Sequence, residues 1–442
     1  MRFLNDSNPD KRSVLVDSLL ARSEFLDIWV MRWAELLQIR TANGLSPKGL
    51  QRYDAWLRDK VRSGVTIDEI ARDLLPATGG SFDNPAVIYF QTETTPSLIA
   101  ENVAQVFLGT RIQCAQCHNH PFDRWTLDDY YGFAAFFSRI GYKQARDPRE
   151  LTVFNTKEGA VAHPIAGRTV TPTFLGGTAP KFEGDEEYRK ALADWLVSPK
   201  NPAFARNLAN IVWSHFNGQG IVEPIDDARV SNPPSNPELL GALADRLVKS
   251  HYDIKPLIRD ILASRTYQLS TARNDSNRWD ERNFSHQKVR RMRAEVLLDC
   301  VSQVTETSDR FPGLPRGGRA VQIPDGLVRN YFLTTFGRSN REKACSCDVK
   351  ITPTLSQALH LINGENTSGK ITAGKVVEKL MAQLGTPTAV AEALYVRCLS
   401  RMPTPAEAEK IATKLSASPE KTKALEDLFW ALLNSNEFLF NH

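Results

Sequence analysis

Apolar residues recur along most of this chain at helical spacing. Leu15, Leu19 and Leu20, then Phe25, Ile28, Trp29, Trp33, Leu36 and Leu37, fall on stripes with a 3.6-residue period. Ser46-Pro47 pairs an N-cap residue with proline at the first helical position. Thr66-Ile67-Asp68-Glu69 spells a capping box, which opens another helix. A helix is expected from about Thr95 to Leu108. Thr126-Leu127-Asp128-Asp129 starts one rich in aromatic residues: Tyr130, Tyr131, Phe133, Phe136 and Phe137. Those rings fit a core or the wall of a cofactor pocket. From about 141 to 182 the period changes. Leu151-Thr152-Val153-Phe154 and Gly167-Arg168-Thr169-Val170-Thr171 alternate between Gly and Pro punctuation and read as short strands in a loop-rich insert. Helices resume from about 185 to 270. The stretch 305–353, rich in Pro, Gly and Arg, reads as ordered loop, and about four more helices complete the chain. Asp128-Asp129 and Asp185-Glu186-Glu187 fall in first helical turns, where carboxylates complement the helix dipole.

The pattern therefore predicts a mainly α protein. Two related helical domains, 1–140 and 183–442, flank a small insert with short β-strands at 141–182. The relation between the two rests on a weak repeat. Val61-Arg62-Ser63, Ile67, Ile70 and Arg72-Asp73-Leu74-Leu75 match Val248-Lys249-Ser250, Ile254, Leu257 and Arg259-Asp260-Ile261-Leu262, always 187 positions on. Upstream, Val16-Asp17-Ser18-Leu19 and Trp33 have looser counterparts in Ala193-Asp194-Trp195-Leu196 and Trp213. Such a repeat means either two units burying a similar face or convergence of ordinary amphipathic helices.

Composition narrows the function classes. Among 442 residues, 24% are charged and 42% hydrophobic, with a net charge of +4. That balance suits a globular protein and favours neither nucleic-acid binding nor attachment to a membrane surface. No apolar run reaches the roughly 18 residues of a membrane span. The basic run Arg290-Arg291-Met292-Arg293 is expected to open an exposed helix face, or else to meet an anionic group such as a haem propionate.

The most specific chemistry lies at Cys114-Ala115-Gln116-Cys117-His118. C-x-x-C-H is the attachment signature of a c-type haem. The thiols of Cys114 and Cys117 add to the vinyl groups, and the His118 imidazole binds the iron. The rival chemistries are a reducible dithiol or disulfide and a zinc site. A zinc site could combine these thiols with Cys345 and Cys347 of the C-x-C pair, His360 replacing one ligand. Haem attachment takes place outside the energy-transducing membrane, yet Met1 to Asp6 leads directly into charged sequence with no apolar signal core. An export segment ahead of this start is therefore expected.

The surrounding residues carry a resemblance. Phe107-Leu108-Gly109-Thr110-Arg111-Ile112-Gln113, followed by Cys114 to His118 and Asn119-His120-Pro121-Phe122-Asp123, resembles the hallmark of the planctomycete cytochrome-c-associated proteins. These are exported proteins with two adjoining domains of unknown function. Leu192-Ala193-Asp194-Trp195-Leu196, Asn201-Pro202, Val222-Glu223-Pro224-Ile225-Asp226-Asp227, Pro233-Pro234-Ser235 and Gln357-Ala358-Leu359-His360-Leu361-Ile362-Asn363-Gly364 are similar to hallmarks of the second domain. The resemblance extends to Asn434-Ser435-Asn436-Glu437-Phe438 and so covers essentially the whole chain. It implies export to the periplasm or another extracytoplasmic space, a mostly helical fold, and haem binding through Cys114, Cys117 and His118, but no settled reaction. The family often has C-x-C-Glu-Arg where this chain has Cys345-Ser346-Cys347-Asp348-Val349. That Arg is absent here, and any ion pair it makes in the family does not carry over.

The sixth iron ligand is not fixed by spacing. His120 is too close along the chain to reach the opposite face, so it sits near the haem edge or caps the turn. His286, just ahead of the basic run, ranks first and His360 second, ahead of His215, His163, His251, Met31 and Met292. Cys300 and Cys398 lie on apolar helical stripes and read as buried small hydrophobes. Three functions follow in order: an exported c-type haem protein that exchanges electrons with a redox partner, a zinc- or disulfide-bearing scaffold or binding protein, and an enzyme on a polysaccharide with an unrecognised site. Asp226-Asp227 after Glu223 is the one acidic group worth weighing for the last.

Overall fold

The computed structural model describes residues 2–42, 44–182, 187–344, 349, 354–357 and 367–441. Its architecture is mainly α, 52% helical, with small antiparallel sheets. Two quartets of helices run in the same order. The first is Lys11–Leu20, Ser23–Leu36, Pro47–Arg62 and Ile67–Leu74; the second is Tyr188–Leu196, Pro202–Asn217, Pro237–Lys249 and Ile254–Ala263. The third helices end at Arg62 and Lys249 and the fourth begin at Ile67 and Ile254, each pair at the offset of the sequence repeat. Local chemistry fixes the starts. The Ser46 hydroxyl accepts from Gly49 N–H (3.1 Å), and the Glu69 carboxylate accepts from Thr66 N–H (3.0 Å).

Both quartets bury their apolar stripes in one core, from Leu20 to Ile261, joined by Ala344. Trp29, Tyr53, Leu57 and Leu74 come from the first quartet; Leu208, Val212, Leu247 and Ile258 come from the second. A second core, from Ala294 to Leu439, is built on the Ala294–Val304 helix and the C-terminal helices Val376–Leu384, Pro387–Leu399, Pro405–Ala417 and Lys421–Leu433. The hydrophobic division thus falls within about residues 262–293, a stretch of loops.

The insert contains both expected strands. Leu151–Asn155 pairs antiparallel with Ile140–Gln144, and its other edge takes Gly79–Gly80; Thr169–Val170 pairs with Val161–Ala162. Gly79 and Gly80 offer no alternating side chains, so backbone pairing alone makes that strand.

The loop after the Ala294–Val304 helix is ordered by polar anchors. Buried Arg341 donates to the carbonyls of Ile39 (3.0 Å), Pro324 (2.7 Å) and Ile323 (3.1 Å). Asp325 accepts from Thr41 N–H (2.9 Å) and its hydroxyl (2.7 Å). An ionic seam also joins the cores. Glu35 pairs with Arg293 and Asp27 with Arg319 across it, flanked by Arg32 beside Glu35 on one side and Glu295–Arg338 (3.4 Å) on the other.

Arg290 to Arg293 do not open an exposed helix face. Arg290–Arg291 is a short strand paired with Phe440–Asn441, and the helix begins only at Ala294. Arg291 is buried, donating to the Phe336 carbonyl (2.7 Å). The seam between the cores takes the charges that the pattern assigned to solvent.

Candidate functional site at the Cys114–His118 turn

The chain reaches the thiol turn through the Pro96–Val103 helix, which widens to a π turn over Ala104–Leu108. Gly109 ends it with φ 64°, and a Cβ there would lie 2.4 Å from Asn207 Oδ1. Glycine alone meets both conditions without displacing that amide. The next residues clamp onto a neighbouring loop. Ala228 N–H donates to the Gly109 carbonyl (2.8 Å), and the Thr110 hydroxyl donates to the Ala228 carbonyl (3.0 Å). Arg111 grips buried Asp226 through two hydrogen bonds (3.2 and 2.9 Å), and the Gln105 amide donates to the same carboxylate. Asp227 pairs with Arg229 at 3.2 Å. Both carboxylates are thus committed to structural ion pairs rather than arranged as a free acid–base couple.

Residues Gln113–Gln116 then form one 3-10 turn. Cys114 lies within this turn and Cys117 directly follows it. Both are exposed free cysteines, whereas Ile112 and Ala115 are fully buried and anchor the turn. His118 is exposed, with Nδ1 2.8 Å from the Asn119 carbonyl. In the tautomer that donates this bond, Nε2 is left to coordinate, the orientation typical of metal-bound histidines. Asn119 Oδ1 accepts from Leu127 N–H (3.2 Å) and fastens the loop to the next helix. His120 closes the turn: its N–H donates to the Trp125 carbonyl (2.7 Å), and its Nδ1 accepts from Phe122 N–H (3.2 Å). The Tyr131 hydroxyl donates to the Gln116 carbonyl (3.0 Å). Burial and the nearby Cys117 raise its phenol pKa.

These residues offer what thioether attachment needs in part: two exposed thiols, followed by an imidazole anchored through one nitrogen. They do not form a slot. Tyr130, Phe133, Phe136 and Phe137 are interior to the first core, and Phe136 stacks on Phe174 (5.2 Å), which stacks on Trp195 (4.9 Å). That aromatic wall is packing. The cavities of about 800, 540 and 200 Å³ are lined by none of Cys114, Cys117 and His118. A macrocycle held by these residues would lie outside those cavities; Phe122 of the same loop is 65% exposed.

The remaining candidates separate. His286 is buried in a loop, with Nδ1 2.9 Å from the Gln287 carbonyl and Nε2 3.0 Å from the Asp280 carbonyl. In this arrangement neither nitrogen is left for a metal, because both close the loop. His163 is similarly committed: Nδ1 accepts from Ile165 and Ala166 N–H, and Nε2 lies 3.5 Å from Asp128. His360, Cys345 and Cys347 lie outside the described residues. Among the described residues no three His, Cys, Asp or Glu side chains converge as a metal site. Cys300 and Cys398 are partly buried against the second core, where burial pushes their thiols up to about 11 and about 12. The Arg111–Asp226 clamp and the Tyr131 hydroxyl escape a reading of spacing alone, although Arg111 stands inside the hallmark sequence. No described helix is long and apolar enough to cross a membrane.

Comparison with known families gives two matches. Residues 188–415 match the model PSD1, described as a protein of unknown function (DUF1553), and residues 1–142 match PSCyt2, described as a protein of unknown function (DUF1549). No curated protein and no solved structure gives a significant match.

Proposed function

The chain belongs to the PSD1 family, proteins of unknown function with the DUF1553 domain, and from that premise we propose that it is an extracytoplasmic c-type haem protein. Cys114 and Cys117 hold the haem, His118 is the proximal ligand, and electrons pass to or from a docked redox protein. The reading is supported chiefly by one observation: both thiols stand exposed, one within and one directly after a single turn, with the following imidazole anchored at Nδ1. The PSCyt2 label on residues 1–142 hints in the same direction.

Bound there, the haem supplies a one-electron iron couple. The protein's own part is to hold and orient. Gly109, Thr110 and the Arg111–Asp226 pair fix the approach of the chain. Asn119 fixes the tautomer of His118 through its carbonyl and the loop through its side chain. A donated Nδ1–H makes Nε2 a better ligand. Exposure at the turn favours exchange with a protein that docks over it, since electron transfer requires close approach.

Expression with export in a host that has haem-attachment machinery tests the reading. The denatured protein is expected to keep a haem-staining band on a gel, weakened by Cys114→Ala or Cys117→Ala and abolished in the double variant. A protein that instead carries one equivalent of zinc and no covalent stain overturns it in favour of a zinc-bearing scaffold.

A further inference from the structure

A cleft of about 800 Å³ lies between the two cores, remote from the thiols in its lining. Its wall collects the cations Arg32, Arg290 and Arg293 and the imidazole of His215. Arg290 is the informative member. It donates to the carbonyls of His215 (2.9 Å) and Phe216 (2.7 Å) at the end of the Pro202–Asn217 helix. No described carboxylate lies within ion-pairing distance of it. Burial lowers its pKa, so the charge is held away from solvent without an anion. Arg32 has one weak ion pair, 3.4 Å from Glu35.

The acidic groups of the same wall are committed elsewhere. Glu35 is taken by Arg293, Asp226 by Arg111, Glu437 by Arg401, and Glu223 accepts from Gly220 N–H (2.8 Å). His215 rests on the Trp29 ring at 5.3 Å, and no described residue hydrogen-bonds its ring nitrogens. Burial and the three arginines hold its pKa well below the ordinary range, so it is neutral at pH 7. The rest of the wall includes Ile28, Leu36, Met292 and Phe438. The cleft has the volume of a small-molecule site.

We propose that this cleft binds a small organic oxyanion, with its phosphate or carboxylate head at Arg290, Arg32 and His215 and its apolar body against Ile28, Leu36, Met292 and Phe438. A guanidinium fork matches both head groups bidentately. A neutral imidazole among arginines adds an N–H donor for the head without adding to the repulsion between the cations. This inference is independent of whether haem is attached at Cys114.

Isothermal titration of the full chain with phenyl phosphate, benzoate and inorganic phosphate decides it. Phenyl phosphate or benzoate is expected to bind saturably, one per chain, at least tenfold more tightly than inorganic phosphate. Arg290→Gln is expected to weaken this at least tenfold. Because Arg290 also caps a helix, Arg32→Gln is the second variant; Glu35 keeps Arg293 in it, and it is expected to weaken binding while circular dichroism shows the native helix content. Three results overturn the proposal: no saturation with any probe, saturation that survives both substitutions, or inorganic phosphate binding as tightly as the organic probes.

Discussion

Gly109 holds φ at 64° with Asn207 Oδ1 standing where a Cβ would be placed. Gly109→Ala is therefore expected to lose about 1–3 kcal/mol in urea denaturation, from backbone strain and displacement of the amide. A loss near zero would mean that the Asn207 contact yields freely. Asp299 gives a pH signature. Burial outweighs its hydrogen bonds from Ala320 and Val321 N–H, and raises its carboxyl to about 6. The folded state then binds the proton more tightly than the unfolded chain, whose carboxyl titrates near 4. This group's contribution to stability is fully present below about pH 4 and is lost as pH rises through 6. Denaturation midpoints at pH 4, 5, 6 and 7 are expected to carry this falling component, and Asp299→Asn to remove it.

Helices were legible wherever an apolar stripe coincided with a cap. Ser46-Pro47 and Thr66 to Glu69 start helices at the positions their chemistry predicts. Thr66→Ala is expected to lose about 1 kcal/mol, measured by thermal unfolding, since the hydroxyl it removes donates to the Asp68 and Glu69 carboxylates that hold the start of an eight-residue helix. The repeat was legible for the same reason, because Arg62 with Ile67 and Lys249 with Ile254 punctuate equivalent helices. Other elements depended on partners distant in sequence. Gly79–Gly80 becomes a strand only because Leu151–Asn155 offers an edge. The arginines after Val289 look like a solvent face until Glu35, over 250 positions earlier, is brought against Arg293. At the candidate site, the thiols and His118 could be read from spacing. The exposure of the turn could not, because Ile112 and Ala115 are anchored by a core assembled from both quartets.

Across the whole molecule, two apolar cores meet at a seam of ion pairs and hydrogen bonds. Removing one partner of a buried pair leaves the other charge uncompensated, which costs more than the pair contributes. Glu35→Ala takes the nearer carboxylate from Arg293, which keeps Glu295 at 3.8 Å, and the ion pair from Arg32, and is expected to lose about 3 kcal/mol. In calorimetry it is expected to split unfolding into two resolved transitions, one for each core. A variant that still melts in one transition at the original temperature would show that the seam does not couple the cores.

Cys114, Cys117 and His118 are the proposed covalent haem centre. The reduced pyridine spectrum of the exported, purified protein tests it most directly, because the band position distinguishes thioether-linked haem from loosely bound haem. The account predicts one thioether-linked haem per chain, with none in the Cys114→Ala, Cys117→Ala double variant. A protein recovered folded, from cells whose own c-type cytochromes are fully matured, that shows no such spectrum contradicts it.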